Sequence, residues 1–169
     1  RAIDRACHVC GPPSTLRSHF IFGPGTVPDV EPHFPTLFDA IARARPDRPA
    51  MRTPDRTTTW ADLARRTDAF GAALVEAGIV APPVAAAAPT EPWRCPNPRV
   101  ALYMHNHPAY LEAMVGAWKA RATGMNVNYR YRATELVDLL NDAEPEAVVY
   151  HQAFTPTLSE ALPRLAHRP

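Results

Sequence analysis

From residue 99 onward, apolar positions repeat in an order typical of a parallel sheet with crossover helices. Short apolar runs at "RVALYMHN", "GMNVN" and "EAVVYH" alternate with the amphipathic segments "HPAYLEAMVGAWKARA" and "TELVDLLNDA". The runs have the length of strands, and the longer segments have the helical period. Pro108 suits the first position of a helix, where its missing N–H costs nothing. The pattern predicts a parallel β-α-β-α-β unit, followed by a last helix at "TLSEALPRL" that a proline breaks.

Three elements are predicted before this unit. "TLFDAIARARPDRP" reads as a helix with Thr36 as N-cap and Asp39 three residues later, a capping-box pattern. "AMRTPDRTTTW" reads as two short strands around the turn "TPDR". "WADLARRTDAFGAALVEAG" is a long helix with a second capping box at Thr59 and Asp62, and with Gly78 as its C-cap. The predicted core positions of these helices and the next are Leu37, Phe38, Ile41, Trp60, Leu63, Phe70, Leu74 and Trp118.

Proline marks two segments that do not fit a regular core. The chain has 20 prolines in 169 residues, and they concentrate in residues 1–35 and 80–98. Proline lacks a backbone donor and fixes φ, so helix interiors and central strands exclude it. We therefore expect residues 1–35 to form a disordered or irregular extension. Residues 36–169 form the predicted domain, with a Pro/Ala-rich insertion at about 80–98.

Charge and hydropathy exclude several classes of protein. The 18 basic and 17 acidic residues give a net charge of +1, and no basic stripe predicts a nucleic-acid partner. Charged residues, glycine or proline interrupt every apolar run, so no transmembrane segment is predicted. No run of signal-peptide length follows the first arginines, and we expect a cytoplasmic protein. Three cysteines imply no disulfide framework.

The cysteine and glycine motifs predict little chemistry. "CHVC" places Cys7 and Cys10 around His8, with His19 beyond, but a zinc site needs four suitably spaced ligands. The cysteines are therefore interpreted as incidental. "FGPGT" lacks the lysine of a phosphate loop and reads as a turn. The glycine of "TGMN" is better explained as a helix C-cap.

Histidines stand where two of the predicted strands end. His105 and His107 flank Asn106, and on a strand they would share a face and could bind metal. The strand ends here, however, so Asn106 or His107 as a helix cap is the favoured interpretation. His151 closes the third strand, at the end where open α/β sheets place ligands.

The segment "NYRYR" permits two interpretations. Arg130 and Arg132 could contact an anion or nucleotide, with Tyr129 and Tyr131 stacking beside them. Alternatively, the segment is a loop whose aromatic side chains pack on a neighbouring element. The second interpretation is favoured.

From Thr36 to about Leu165 the sequence resembles the N-terminal part of the AMP-forming acyl-CoA synthetases, in the adenylate-forming superfamily. "TTTWADLARRTDAFGAAL" resembles the first core motif of that family. "VALYMHNHPAYLEAMVGAWKARATGMNVNYRY" resembles the segment through the second motif in its fatty-acyl style, and "ELVDLLNDAEPEAVVYH" resembles the helix and strand that follow. Val80–Pro98 departs from the pattern, because relatives usually have a short turn there.

The resemblance implies a reaction that this chain does not complete. In the family, a carboxylic acid and ATP form an acyl-adenylate and pyrophosphate, and CoA then displaces AMP. ATP, Mg²⁺ and CoA are implied for the complete enzyme. The family's phosphate loop ending in P-K-G, its Y-G-x-T-E element, its ribose-binding Asp and its C-terminal lysine do not occur in this sequence. We therefore predict no catalytic, cofactor-binding or metal-binding residue here, and no cofactor bound by this chain alone.

Two functional readings remain open. The first is an N-terminal fragment of a fatty-acyl-type CoA ligase that is inactive alone. The second is a non-catalytic α/β module, derived from that family, that binds a partner or a sibling subunit. A three-stranded parallel unit is expected to leave an open edge and at least one uncovered face. Self-association is therefore predicted.

Overall fold

The computed structural model describes residues 33–82 and 95–169. Residues His33–Ala81 and Asn97–Pro169 together form one compact unit. The extension predicted at residues 1–35 and the insertion predicted at 80–98 lie outside the described residues, except at their ends. The "CHVC" motif, His19 and "FGPGT" lie outside them as well.

The predicted order of helices and strands is confirmed. The elements are α1 (Phe34–Ala44), β1 (Pro49–Arg52), β2 (Thr57–Thr59), α2 (Trp60–Glu76), β3 (Arg99–Tyr103), α3 (Pro108–Lys119), β4 (Thr123–Asn126), α4 (Ala133–Ala143), β5 (Ala147–Tyr150) and α5 (Thr155–Ala161). A 3₁₀ turn at Gln152–Phe154 leads into α5, and a second one at Leu162–Arg164 follows it. The antiparallel hairpin pairs β1 with β2, and the parallel sheet has the strand order β4-β3-β5.

The central strand β3 is buried between two hydrophobic cores. Val100 and Leu102 join one core with side chains of α2 and α3. Ala101 and Tyr103 point to the other face and join a core with α4 and α5. The prediction of an uncovered sheet face is therefore wrong for β3, because helices already cover both of its faces. The apolar residues of β4 and β5 are only half-buried.

The first helix begins two residues before the predicted N-cap. His33 is the N-cap, and its Nδ1 accepts the Thr36 N–H at 3.4 Å. Thr36 lies in the first turn, where its hydroxyl accepts the His33 N–H at 3.2 Å. The predicted cap at Thr36 is wrong because histidine takes the role instead. Leu37 is 49% exposed, so the apolar face of α1 consists of half-buried Phe38 and Ile41 with buried Ala42.

The ends of α2 follow the sequence prediction. The Thr59 hydroxyl accepts the Asp62 N–H at 3.1 Å. At the other end, Gly78 has φ +80°, a conformation that glycine adopts without strain. Its N–H donates to the Val75 carbonyl at 3.0 Å, and the Ile79 N–H donates to Leu74 at 2.9 Å. This is the Schellman arrangement that stops a helix.

The glycine of "TGMN" does not cap a helix. Gly124 lies within β4, paired with Val100 of β3. The left-handed position after α3 is taken by Arg121, with φ 60°. A Cβ on Gly124 would lie 2.3 Å from the sulfur of Met114. Glycine therefore leaves room here for the Met114 side chain of α3 to lie against the sheet.

Ion pairs and close backbone contacts join the first three helices. Arg66 of α2 makes two 2.6 Å bonds to the Glu112 carboxylate of α3. Lys119 of α3 contacts Asp39 of α1 at 2.6 Å and Asp68 of α2 at 2.5 Å. We call this contact the helix seam; its residues are Asp39, Arg66, Thr67, Asp68, Phe70, Gly71, Glu112, Gly116 and Lys119. The predicted core residues Trp60 and Trp118 are half-buried beside it. Trp118 stacks on Phe34 of α1, and Trp60 meets Phe38 of α1 edge to face.

Candidate functional site at the carboxyl edge of the sheet

The carboxyl ends of the three parallel strands bring three segments together. Strand β3 ends at Tyr103, β4 at Asn126 and β5 at Tyr150. The segments that follow contain His105, Tyr129 and His151, residues singled out in the sequence. Parallel strands align their carboxyl ends at one edge, the usual position of ligand sites in open α/β sheets. We call residues 104–107, 127–132 and 151–154 the carboxyl edge.

A cluster of imidazole and aromatic rings forms at this edge. The centroid of the His105 ring lies 4.6 Å from Phe154, 5.2 Å from Tyr129 and 5.5 Å from His151. His107 lies 5.9 Å from His151. The structure therefore brings together the histidines predicted from the strand ends. Phe154 was missed by the sequence analysis, although it stands three residues after His151, within reach of the same strand end.

Two of the clustered histidines act as caps. The Nδ1 of His107 accepts the Ala109 N–H at 3.1 Å and begins α3. The Nδ1 of His151 accepts the Ala153 N–H at 3.2 Å and begins the 3₁₀ turn before α5. Of the alternatives Asn106 and His107, His107 is the cap. Within residues 33–82 and 95–169, no group of three or more His, Cys, Asp or Glu side chains could hold a metal ion.

The segment "NYRYR" divides into supporting and exposed residues. Tyr131 packs against the α4–α5 core, and its carbonyl accepts the Tyr103 hydroxyl at 2.8 Å. Arg132 is the N-cap of α4, and its N–H donates to Glu135 at 2.9 Å. By contrast, Tyr129 is 39% exposed, with the Arg130 guanidinium 5.6 Å from its ring centre. Tyr129 and Arg130 are therefore placed to meet a ligand, and the exposed Arg132 side chain lies close to them in sequence.

The charge of the carboxyl edge is one-sided. Its three segments contain two arginines and three histidines but no aspartate or glutamate. Burial raises the pKa of Tyr103, and a hydrogen bond from Thr157 only partly offsets this effect, so the phenol remains a neutral donor. An edge with this composition favours anionic groups.

A shallow depression of about 380 Å³ adjoins this edge. Met51 and Arg52 of β1 line one side, and His107 and Tyr110 line the other. The Tyr110 hydroxyl donates to the Asn126 side-chain oxygen, and burial raises the pKa of Tyr110. Arg52 is thus a further cation facing His107.

Known proteins match this chain both in sequence and in fold. Residues 95–168 match the family described as AMP-binding enzyme. The medium-chain acyl-CoA ligase Mig of Mycobacterium avium is 35% identical over 136 residues, which cover 78% of this chain and 24% of that protein. The solved N-terminal domain of FACL13 from Mycobacterium tuberculosis superimposes with a TM-score of 0.65 over 80% of this chain and 30% of that one, at 23% identity. In sequence and in fold, the chain is therefore similar to the N-terminal part of AMP-binding acyl-CoA synthetases.

The relatives of this chain differ in the acids that their names contain. A feruloyl-CoA synthase of Amycolatopsis sp is 30% identical over 125 residues, 74% of this chain and 22% of that protein. The chain thus spans about a quarter or less of the curated relatives it matches. The matched residues 95–168 include the parallel sheet and the whole carboxyl edge. In the described part of the chain, no helix is both long enough and apolar enough to cross a membrane.

Proposed function

We propose that this chain supplies the N-terminal scaffold of an AMP-forming acyl-CoA ligase. Such an enzyme joins a carboxylic acid to CoA while ATP is converted to AMP and pyrophosphate. The observation that carries the proposal is the 35% identity to the Mycobacterium avium ligase over 78% of this chain. The fold, which superimposes on a solved synthetase domain with a TM-score of 0.65, supports the same proposal.

The proposed substrate is a carboxylic acid with an apolar body, a fatty acid in the first instance. The names of the relatives include medium-chain acyl, 3-oxocholest-4-en-26-oate and feruloyl groups. Each is a carboxylate attached to a largely apolar group. Because these apolar groups differ so much, we infer that the acid is selected by parts of the ligase outside the quarter of its length that this chain matches.

The carboxyl edge does not offer the ligands that Mg²⁺ requires. Magnesium takes oxygen ligands, chiefly carboxylates and phosphates, and the carboxyl edge contains no acidic side chain. We therefore assign no catalytic step to this chain. Its role in the proposal is to hold β3, β4 and β5 in register beneath the carboxyl edge.

Pyrophosphate release tests the claim that this chain is inactive alone. The purified 169-residue chain is incubated with ATP, Mg²⁺, CoA and a panel of medium-chain, long-chain and aromatic acids. We expect no acid-dependent pyrophosphate above background, while the Mycobacterium avium ligase, assayed alongside, releases it. Acid-dependent release by the purified chain would refute the scaffold role.

A chimera tests the family role directly. The segment of the Mycobacterium avium ligase that matches this chain is replaced by residues 36–169. We expect the chimera to form acyl-CoA, because the matched segment supplies scaffold and not the reacting groups. A soluble, cooperatively folding chimera without activity would contradict the proposal.

The second candidate is a non-catalytic binding or oligomerisation module of the same family. Within the described residues, β4 and β5 each pair on one side only, and Tyr150 of β5 is 42% exposed. Such edges can pair with another chain. Sedimentation and thermal unfolding separate the candidates. A monomer or a defined oligomer with a sharp transition favours the stand-alone module, whereas aggregates of mixed size with a broad transition favour the scaffold.

A further inference from the structure

The hydrogen bonds of His107 and His151 define the tautomer of each neutral ring. Each Nδ1 accepts a backbone N–H, from Ala109 and from Ala153. A nitrogen that accepts a hydrogen bond carries no proton, so each neutral ring holds its proton on Nε2. A second proton can enter only at Nδ1. The imidazolium form therefore cannot accept the backbone N–H, and the cap is lost.

The surroundings of these rings offer positive charge and no carboxylate contact. The described contacts of His107 and His151 are with each other, with His105, with Phe154 and with the two backbone N–H groups. His105 also contacts Tyr129, which lies beneath the Arg130 guanidinium. On the side of β1, Arg52 lines the same depression as His107. Protonation thus adds positive charge to an edge that already carries Arg130 and adjoins Arg52.

The helix start adds a further unfavourable effect. The amino end of a helix carries partial positive charge, so a cation there is destabilising. His107 occupies this position on the twelve-residue helix α3. An imidazolium at His107 loses its hydrogen bond and also faces the like charge of the helix end.

We propose that the carboxyl edge is a pH-sensitive switch in which neutral His107 and His151 hold two neighbouring segments, and protonation releases both. The first segment is the start of α3, and the second is the turn that leads into α5. Because the two rings lie 5.9 Å apart, their charged forms repel each other. Protonation of either ring removes one of the two capping bonds and therefore loosens the edge while β3 stays buried.

Hydrogen exchange followed by mass spectrometry tests the switch in the full 169-residue chain. The key variant is the double substitution His107→Asn and His151→Asn, since asparagine is a good N-cap that does not titrate. Wild type and variant are compared at the same pH, which cancels the intrinsic pH dependence of exchange. The peptides that report are those containing Ala109 and Ala153.

We expect equal exchange of these peptides at pH 7.5. At pH 5.5 we expect exchange about three- to tenfold faster in the wild type than in the double variant, the factor that loss of a cap produces. His33→Asn is the matched control, because His33 caps α1 through the same nitrogen but is not part of the carboxyl edge. It should leave the acid response of both peptides unchanged.

Two outcomes overturn the switch. One is equal exchange of wild type and double variant at both pH values. The other is an acid response in the double variant as large as that of the wild type. The peptide containing β3 checks that the chain remains folded. Acid unfolding of the wild type alone supports the switch, and unfolding of both proteins contradicts it.

Discussion

The helix seam and the carboxyl edge use charged side chains in opposite ways. At the seam, Arg66 and Lys119 each bond to a carboxylate, and Glu112 is only 7% exposed. At the carboxyl edge, the described contacts of Arg130 and the clustered histidines are with rings and backbone groups, and Tyr129 is 39% exposed. The seam satisfies its charges internally, whereas the edge leaves positive charge facing outward. Substitutions should therefore affect stability at the seam far more than at the edge.

The largest effect is expected from Gly116→Val in the seam. A Cβ at residue 116 would lie 2.9 Å from the Thr67 carbonyl oxygen and 2.7 Å from a Phe70 ring carbon. The backbone cannot move away without separating α2 from α3, so the free energy of unfolding should fall by about 3 kcal/mol. Urea unfolding measures it. Gly124→Val is the control and should cost clearly less, because its obstacle is the flexible end of Met114; equal losses would contradict the close packing of the seam.

Glu112→Ala should have the next largest effect. It leaves Arg66 without the two bonds that raise the pKa of its guanidinium. A fully buried pair would cost more, but the Arg66 side chain is 40% exposed and water can partly replace the carboxylate. We expect a loss of about 2 kcal/mol in urea unfolding. Arg65→Ala, which removes a surface pair with Asp62, should change stability by less than about 0.5 kcal/mol.

Lys119 should make the seam sensitive to alkaline pH. Burial by itself lowers the pKa of Lys119, but the hydrogen bonds to Asp39 and Asp68 outweigh it and raise the pKa above the ordinary 10.5. A raised pKa in the folded state means that the stabilisation is complete below pH 10.5 and is lost as the pH rises through the folded value. Lys119→Met should cost about 1 kcal/mol at pH 7. The difference between wild type and variant should shrink above pH 10.5; a constant difference would argue against the ion pairs.

The smallest effect is expected at the carboxyl edge. Tyr129→Ala removes an exposed ring that contacts His105 and Arg130. The free energy of unfolding should change by less than about 0.5 kcal/mol, as for most surface positions. Thermal unfolding beside wild type measures it. A loss comparable to that of Glu112→Ala would remove the distinction between the two regions.

The sequence predicted what depends on local pattern and missed what depends on tertiary contact. The order of helices and strands follows from apolar periods, and Gly78 was found because a left-handed helix end is a local requirement. Gly124 was misread because the side chain that demands it, Met114, lies on another element. Arg66 and Glu112 are 46 residues apart, and no local pattern pairs them.

The candidate site shows the same limit. Strand ends predicted the positions of His105, His107 and His151, but Phe154 joins their cluster only through the fold. The cap at His33 was missed because Thr36, three residues later, has a side chain of the usual capping type. Its role depends on the orientation of one ring nitrogen, which sequence does not reveal.

The central position of β3 also sets an order of assembly. It is the first of the three parallel strands to be synthesised, and both later strands pair with it and not with each other. One helix separates β4 from β3 along the chain, whereas two helices separate β5 from β3. Pairing β4 with β3 closes a shorter loop and therefore has the lower entropic cost. On the ribosome, the β3–α3–β4 half can form while β5 is still being made. A destabilising substitution in β3 should therefore prevent the pairing of both β4 and β5. One in β5 should instead leave a partly folded intermediate in which the β3–α3–β4 half is formed.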